Sequence, residues 1–226
     1  MTTTDEILAL AAAGAATSGV AEADVAAFRA AAARGAGGTV VRALRSICPA
    51  AAHPAAPPTA SSGDPAWTAW LTAAAGAAAD DPAGVPSPVR CAVFGAALAL
   101  SDPPRSAPPA VSVTAAIAAG LDAAAIVESG LADWGGWSSG TVAAAIGAGM
   151  TAGLLLGLTE PRLRAAIGIC ATQAAGLRAA EGTEAFAVQV GKAAFNGVEA
   201  ALLARAGLTA PADPLDGRRG LFALFG

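Results

Sequence analysis

The sequence contains no tyrosine, and aromatic residues make up only 4% of its 226 positions. β-Branched residues are sparse as well, so the chain has little of the material that favours β-strands. Hydrophobic residues nevertheless reach 55%, and most of them are alanine, the residue with the highest helix propensity. These proportions predict an all-α fold in which small side chains let the helices pack closely.

Metal-binding and disulfide-forming residues are also few. The three cysteines, Cys48, Cys91 and Cys170, are far apart and form no CxxC motif, and His53 is the only histidine. Zinc sites and disulfide frameworks need closely spaced sets of such residues. We therefore expect buried free thiols, no metal site and no bound cofactor.

Charge is scarce and slightly acidic. Charged residues make up 13% of the chain, the formal net charge is −4, and twelve scattered arginines accompany one lysine, Lys192. A nucleic-acid-binding protein needs a basic stripe or patch, so that class is not expected. Asp5 and Glu6 stand where a signal peptide would be positively charged, which predicts a cytoplasmic protein.

One long segment, from Trp134 to Thr159, has no charge at all. Its length would allow a membrane span, but its first third is polar and its convincingly apolar part, Ala143 to Leu158, is short. We therefore expect the buried central helix of a soluble bundle, with no membrane contact. Gly149, Gly153 and Gly157, spaced by four residues, would let neighbouring helices approach this helix closely.

Proline and capping residues divide the chain into eight or nine helices. Asp64-Pro65 and Ser87-Pro88 are N-cap residues followed by proline at the first helical position, and Asp122 is expected to cap a helix of its own. The predicted helices cover residues 22–34, 39–48, 65–79, 88–100, 111–120, 123–131, 139 or 140 to 158 (capped by Ser138 or Ser139), 160–177 and 187–205. We expect one compact multi-helix domain over 1–226, with a Pro-rich loop at 49–63.

Several stretches of the second half carry a family resemblance. They are AVFGAALALSD, GWSSGTVAAAIGAGMTAGLLLGLTEPRLRAAIGICATQAAGL, GTEAFAVQVGKAAFNGVEAALLARAGLTAP and DPLDGRRGLFALFG. From about Pro88 to the end, their order and spacing resemble the helical domain of the MmgE/PrpD family, which includes 2-methylcitrate dehydratases, cis-aconitate decarboxylases and iminodisuccinate epimerases. The resemblance implies that this helical domain forms homodimers. It also implies a second α/β domain, which is expected to be absent from this chain.

The resemblance also shows that polar site residues of the family are replaced at the matching positions. In AVFGAALALSD a family histidine corresponds to Ala99, while Asp102 retains an aspartate. In GWSSGT, aligned on Thr141, a family histidine corresponds to Trp137 and a threonine to Ser139.

The third stretch, GTEAFAVQVGK, has lost its charged residues in the same way. Phe186 takes the place of a family lysine and Gln189 that of a histidine, while Lys192 matches a less critical basic position. Family enzymes act on small di- and tricarboxylates, and proton removal beside a carboxylate needs cations to hold it and a base of suitable pKa. The replacing residues supply neither, so ordinary 2-methylcitrate dehydration is not expected.

The replacements instead predict an enzyme for a largely apolar small molecule, such as a cyclase, isomerase or other rearrangement enzyme in natural-product biosynthesis. Trp137 and Phe186 would be walls that hold a flexible substrate in a reactive shape. Asp102, Glu181 or Glu184 would act as acid or base if desolvation raised its pKa. The predicted substrate-binding positions are Ala99, Trp137, Ser138, Ser139, Thr141, Phe186 and Gln189.

Two other functions fit the same replacements. The chain would be a catalytically inactive partner or binding subunit if no chemistry occurs, or half of a split carboxylate dehydratase if a partner supplied the missing groups. If these residues have only structural roles, Trp137 and Phe186 would pack in the core, and Ser138 and Ser139 would cap the central helix. The acidic residues would then lie in solvated turns. An open cavity lined by the two aromatic residues would favour the enzyme, and a filled core would favour the binding module.

The expected homodimer gives a first prediction. Because so much alanine and leucine surface must be covered, size-exclusion chromatography with light scattering should give about twice the chain mass of 21.5 kDa. A clean monomer at micromolar concentration would contradict this expectation.

Overall fold

The computed structural model describes residues 1–12, 16–48, 64–79, 87–101, 111–131 and 135–224. Over these residues the chain forms nine α-helices and no β-strand, which confirms the predicted all-α fold. The helices are α1 (Thr3–Ala9), α2 (Glu22–Gly35), α3 (Thr39–Ile47), α4 (Pro65–Ala78), α5 (Pro88–Ser101), α6 (Val113–Gly130), α7 (Ser139–Leu155), α8 (Glu160–Thr172) and α9 (Glu184–Arg205). The predicted Pro-rich loop 49–63 and Asp102 lie outside the described residues.

Helix α7 is the central helix of the fold, and every residue from Thr141 to Leu155 is buried. Helices α5, α6, α8 and α9 pack around it. Its glycines create the space for this: a side chain at Gly149 would collide with the sulfur of Cys170 in α8, and one at Gly147 with the backbone of Gly120 in α6. The prediction of a buried central helix is therefore confirmed.

Among the described helices, α6 alone is long and apolar enough to cross a membrane by length and composition, with 18 residues and a mean hydropathy of 1.4. Half of it is buried inside the bundle, mainly against α7. The core helix of a soluble bundle meets the same two criteria, so α6 is weak evidence for a membrane span.

The prediction of a separate helix capped by Asp122 is wrong, because α6 runs without a break from Val113 to Gly130. Asp122 lies in the middle of this helix, and its carboxylate accepts hydrogen bonds from the backbone and hydroxyl groups of Thr17 and Ser18. A capping residue bonds to its own helix, whereas these partners lie in the segment before α2. The Asp122 carboxylate therefore ties the N-terminal part of the chain to the central bundle.

The proline-containing caps are confirmed. The Asp64 side chain accepts hydrogen bonds from the N–H groups of Ala66 (2.8 Å) and Trp67 (3.3 Å), and the Ser87 hydroxyl accepts one from the N–H of Arg90 (3.3 Å). These bonds satisfy donors that the first turn of a helix leaves free. They fix the starts of α4 and α5.

Two boundaries near the candidate site differ from the prediction. Helix α8 ends at Thr172, five residues before its predicted end, and α9 begins at Glu184, three residues before its predicted start. The chain between them, 173–183, contains a short 3-10 turn at Arg178–Ala180 and lies against the N-terminal end of α7. This loop and α4, which packs along α9, position the side chains described next.

Candidate functional site

Two loop segments lie side by side at the N-terminal end of α7. Trp137 and Leu177 form an isolated antiparallel bridge, in which the Ser138 N–H donates to the Gly176 carbonyl (3.1 Å) and the Arg178 N–H donates to the Gly136 carbonyl (3.0 Å). We call residues 136–138 and 176–178 together the loop pair. It holds the predicted active-site stretch GWSSGT in one defined position.

Gly176 is required for this arrangement. Its φ of +143° lies in a region that side chains with a Cβ rarely adopt. A Cβ at this position would also lie 2.7 Å from the Cβ of Thr141. The loop pair can therefore approach α7 this closely because residue 176 has no side chain.

Gln189 of α9 fastens the loop pair to the helices. Its Oε1 accepts a hydrogen bond from the Leu177 N–H (3.0 Å), and its Nε2 donates to the Leu177 carbonyl and to Thr141 Oγ1, both at 3.3 Å. The Thr141 hydroxyl also pairs with that of Ser138 at 2.9 Å. Ser138 thus occupies the N-cap position of α7 as predicted, but its hydroxyl bonds to a side chain and not to a helix N–H.

A polar pocket of about 410 Å³ opens beside the loop pair. Four predicted residues, Trp137, Ser138, Ser139 and Glu181, lie in its wall, and the Ser139 hydroxyl donates to a carboxylate oxygen of Glu128 at 3.4 Å. The complete lining is Pro88, Glu128, Leu131, Trp137, Ser138, Ser139, Gly140, Val142, Arg178 and Glu181. With charges of both signs around it, this pocket suits a polar ligand.

A second pocket of about 420 Å³, the apolar cleft, lies between α4, α7, α9 and the loop after α8. It shares no lining residue with the polar pocket: Leu177 lines the apolar cleft, whereas the next residue, Arg178, lines the polar pocket. Two predicted residues, Thr141 and Gln189, line this cleft. The complete lining is Trp70, Thr141, Ala145, Gln173, Ala175, Leu177, Ala180, Ala185, Val188, Gln189, Lys192, Ala193 and Asn196.

The remaining predicted site residues lie elsewhere. Ala99 is 4% exposed in α5 and belongs to the main core, and Phe186 is 6% exposed and packs in a second core cluster with residues of α3 and α4. Neither lines the two pockets, so the pairing of Trp137 with Phe186 as opposite walls of one cavity does not occur. Glu184 is an exposed residue at the start of α9, and Asp102 is not among the described residues.

The apolar cleft contains residues that the sequence interpretation missed. Trp70 supplies the aromatic wall that had been assigned to Phe186, and Lys192 and Asn196 add polar groups. Gln189, Lys192 and Asn196 follow one another at helical spacing, which places them on one face of α9. This helical spacing, and the fact that Lys192 is the one lysine of the chain, could have indicated these cleft residues from the sequence.

Lys192 is half-buried among aromatic rings. Its Nζ lies 3.7 Å from the centre of the Phe195 ring and 5.0 Å from that of Trp70, within cation–π range. Trp67 stacks on Trp70 with 4.9 Å between ring centres and completes the cluster. Burial lowers the pKa of the Lys192 amine, and the charge of Glu199 offsets part of this effect.

The described residues contain no group of three or more His, Cys, Asp or Glu side chains arranged to hold a metal ion. Cys170 is fully buried behind α7, and burial raises the pKa of its thiol to about 12. This thiol is therefore protonated at neutral pH and serves as a small packing group.

The comparison with known families agrees with the all-α fold. The model of the MmgE/PrpD N-terminal domain matches residues 23–226, which is most of the chain. No curated protein is significantly similar in sequence. The chain therefore belongs to the MmgE/PrpD family, through that family's N-terminal helical domain.

Proposed function

We propose that this chain provides the substrate site of an MmgE/PrpD-family enzyme that acts on a largely apolar small molecule bound in the apolar cleft. The proposed reaction is an isomerisation, cyclisation or other rearrangement of a natural-product intermediate. The observation that carries the proposal is the cleft itself, whose volume of about 420 Å³ is typical of small-molecule sites. Its wall is mostly apolar and has a few polar groups at one side.

The charges in the cleft argue against a tricarboxylate as the substrate. Lys192 is the single charged residue of its lining among the described residues. Three carboxylates removed from water would need several cations or donors to offset their desolvation, and Gln189 already uses its amide on the loop pair. A molecule with an apolar body and one polar group matches the cleft better.

Shape and desolvation would then supply much of the catalysis. Trp70, Leu177 and Val188 form apolar walls that can hold a flexible molecule in one folded shape, and such positioning contributes several kcal/mol in favourable cases. Glu181, proposed as an acid or base, lines the polar pocket. A substrate served by Glu181 would have to extend past the loop pair into that pocket.

The test is ligand binding to a variant with a blocked cleft. Val188 is 36% exposed in the cleft wall, so Val188→Glu places a carboxylate where the proposed ligand presents apolar surface. We expect this change to weaken the binding of the neutral probe 2-naphthalenemethanol by about tenfold or more, measured by isothermal titration calorimetry. Val188→Ile should leave binding unchanged, as should Leu224→Glu, which adds the same charge at an apolar pocket elsewhere on the surface.

If Val188→Glu and Leu224→Glu weakened probe binding equally, the cleft would not be the binding site.

Turnover is tested by incubating the full chain with mixtures of apolar metabolites. A rearrangement predicts a compound of unchanged mass and altered retention time in liquid chromatography with mass spectrometry. The Val188→Glu variant should not form this compound.

The alternative function, a binding subunit without chemistry, is favoured by the rim of the two pockets. Leu177 is 54% exposed and Trp137 is 39% exposed, and both belong to the loop pair. Exposed apolar groups beside a pocket are frequent where another protein docks. Probe binding without any turnover would support this alternative.

The proposed homodimer is tested separately, by the light-scattering experiment described above.

A further inference from the structure

The apolar cleft contains the only primary amine that the side chains of this protein provide. Twelve of the thirteen basic residues are arginine and Lys192 is the one lysine, and this residue lines the cleft beside Trp70. Among the described residues no carboxylate lies within ion-pair distance of this amine, and its contacts are the rings of Phe195 and Trp70. The charge of Glu199 acts on this amine from beyond ion-pair distance.

An amine in such a place has a specific chemical use. Lysines in apolar pockets attack carbonyl groups, because the unprotonated amine is a nucleophile that arginine cannot replace. Burial lowers the pKa of the Lys192 amine, which favours the unprotonated form that this attack requires. The open side of the cleft provides the space for the body of a carbonyl compound.

We propose that Lys192 is a covalent attachment point for an apolar aldehyde or ketone, which occupies the cleft as an imine. This inference rests on the function proposed above and names the reactive group of its substrate. The nitrogen lone pair forms a C–N bond to the carbonyl carbon, and the carbonyl π pair moves to oxygen. The C–O bond of the resulting carbinolamine then breaks, so that the two amine protons and the oxygen leave as water.

The imine gives the cleft a way to promote rearrangement without a metal ligand set or a carboxylate cluster in its wall. A protonated imine withdraws electrons from the adjacent carbon more strongly than the parent carbonyl does, which eases proton loss or bond migration there. Hydrolysis by water reverses the attachment and releases the product. Lys192 would thus be a catalytic residue, whereas Gln189 and Thr141 hold the loop pair that covers one side of the cleft.

The experiment is reductive trapping on the intact chain of 226 residues. The chain is incubated with 2-naphthaldehyde and sodium cyanoborohydride, and the modified position is found by peptide mass spectrometry. The α-amine of Met1, which is fully exposed, provides an internal reference. We expect Lys192 to be labelled at least about tenfold faster than Met1, and an excess of 2-naphthalenemethanol to suppress labelling at Lys192 alone.

Lys192→Arg is the matched variant, because it keeps the positive charge near Phe195 and cannot form an imine. It should lose the adduct, while its melting temperature, which is the check on folding, stays unchanged. Labelling of Lys192 no faster than Met1, in a protein that binds 2-naphthalenemethanol, would overturn the imine and leave the proposed apolar site standing. Absence of binding by either probe would overturn both.

Discussion

Replacing Gly197 by valine is expected to destabilise the fold by about 3 kcal/mol or more. Gly197 lies where α9 crosses the central helix, and a Cβ there would be 2.6 Å from both the Ala148 Cβ and the Gly149 backbone nitrogen. These contacts are much shorter than van der Waals distance, and backbone atoms of a buried helix cannot move aside individually. The gain in helix propensity on removing a glycine, roughly half a kcal/mol for valine, is too small to compensate.

The free energy of unfolding in urea measures this effect, and Gly37→Val is its control. Gly37 has no atom within 4 Å of the position that a Cβ would take, so the same substitution there should change stability by less than about 1 kcal/mol. If both variants lost equal stability, close approach of α7 and α9 would not be the reason for glycine at position 197.

Asp122→Ala is expected to cost about 3 kcal/mol. The carboxylate is 9% exposed and receives hydrogen bonds from the N–H and hydroxyl groups of both Thr17 and Ser18. Its removal leaves two partly buried backbone donors without their acceptor, and the segment before α2 loses its attachment to α6. Asp122→Asn, which keeps the shape and one acceptor oxygen, should lose less stability than the alanine variant in the same urea experiment.

The Asp122 interaction also predicts how stability depends on pH. Burial raises the pKa of this carboxyl, but the hydrogen bonds from Ser18 and Thr17 outweigh it, so the pKa in the folded state is lowered. A group with a lowered folded pKa stabilises the fold above its unfolded pKa, about 3.9, and loses this effect as pH falls through the folded value. The stability difference between the wild type and Asp122→Asn should therefore be constant near pH 7 and shrink below about pH 4.

A pH-independent difference between these two proteins would contradict the charged hydrogen-bond network. The comparison with Asp122→Asn is needed because the pKa of the Asp5 carboxyl is lowered as well. Hydrogen bonds from Thr2 and Arg164 lower the pKa of the Asp5 carboxyl to about 2, so the wild-type curve alone contains both effects. Subtracting the Asp122→Asn curve isolates Asp122.

The two pockets give the loop pair a central place in the proposed chemistry. Its residues face two different pockets. Leu177 lines the apolar cleft, whereas Trp137 and Arg178 line the polar pocket. A substrate with an apolar body and a carbonyl group near Lys192 would be held by the apolar cleft. Such a substrate would reach the carboxylate of Glu181 only through the polar pocket.

Local sequence features determined the helices of this protein. Alanine-rich segments of helical length, ended by proline or by residues that cap helices, gave the right fold class and placed α4 and α5 to within about one residue. The absence of charge between residues 134 and 159 also predicted the buried helix α7 correctly, since an α-helix that is apolar on all sides needs neighbours on all sides. These properties depend on residues close together in the chain.

Contacts between distant residues decided the candidate site. The alignment of motifs suggested Phe186 as a wall, but its side chain packs against α3 and α4. Lys192, about one and two-thirds turns later in α9, lines the cleft. Asp122 resembled a helix cap, and only its proximity to Thr17 and Ser18, more than 100 residues away in the chain, shows its role. The direction in which a helix face points is set by what packs against it, and one sequence does not contain that information in any local pattern.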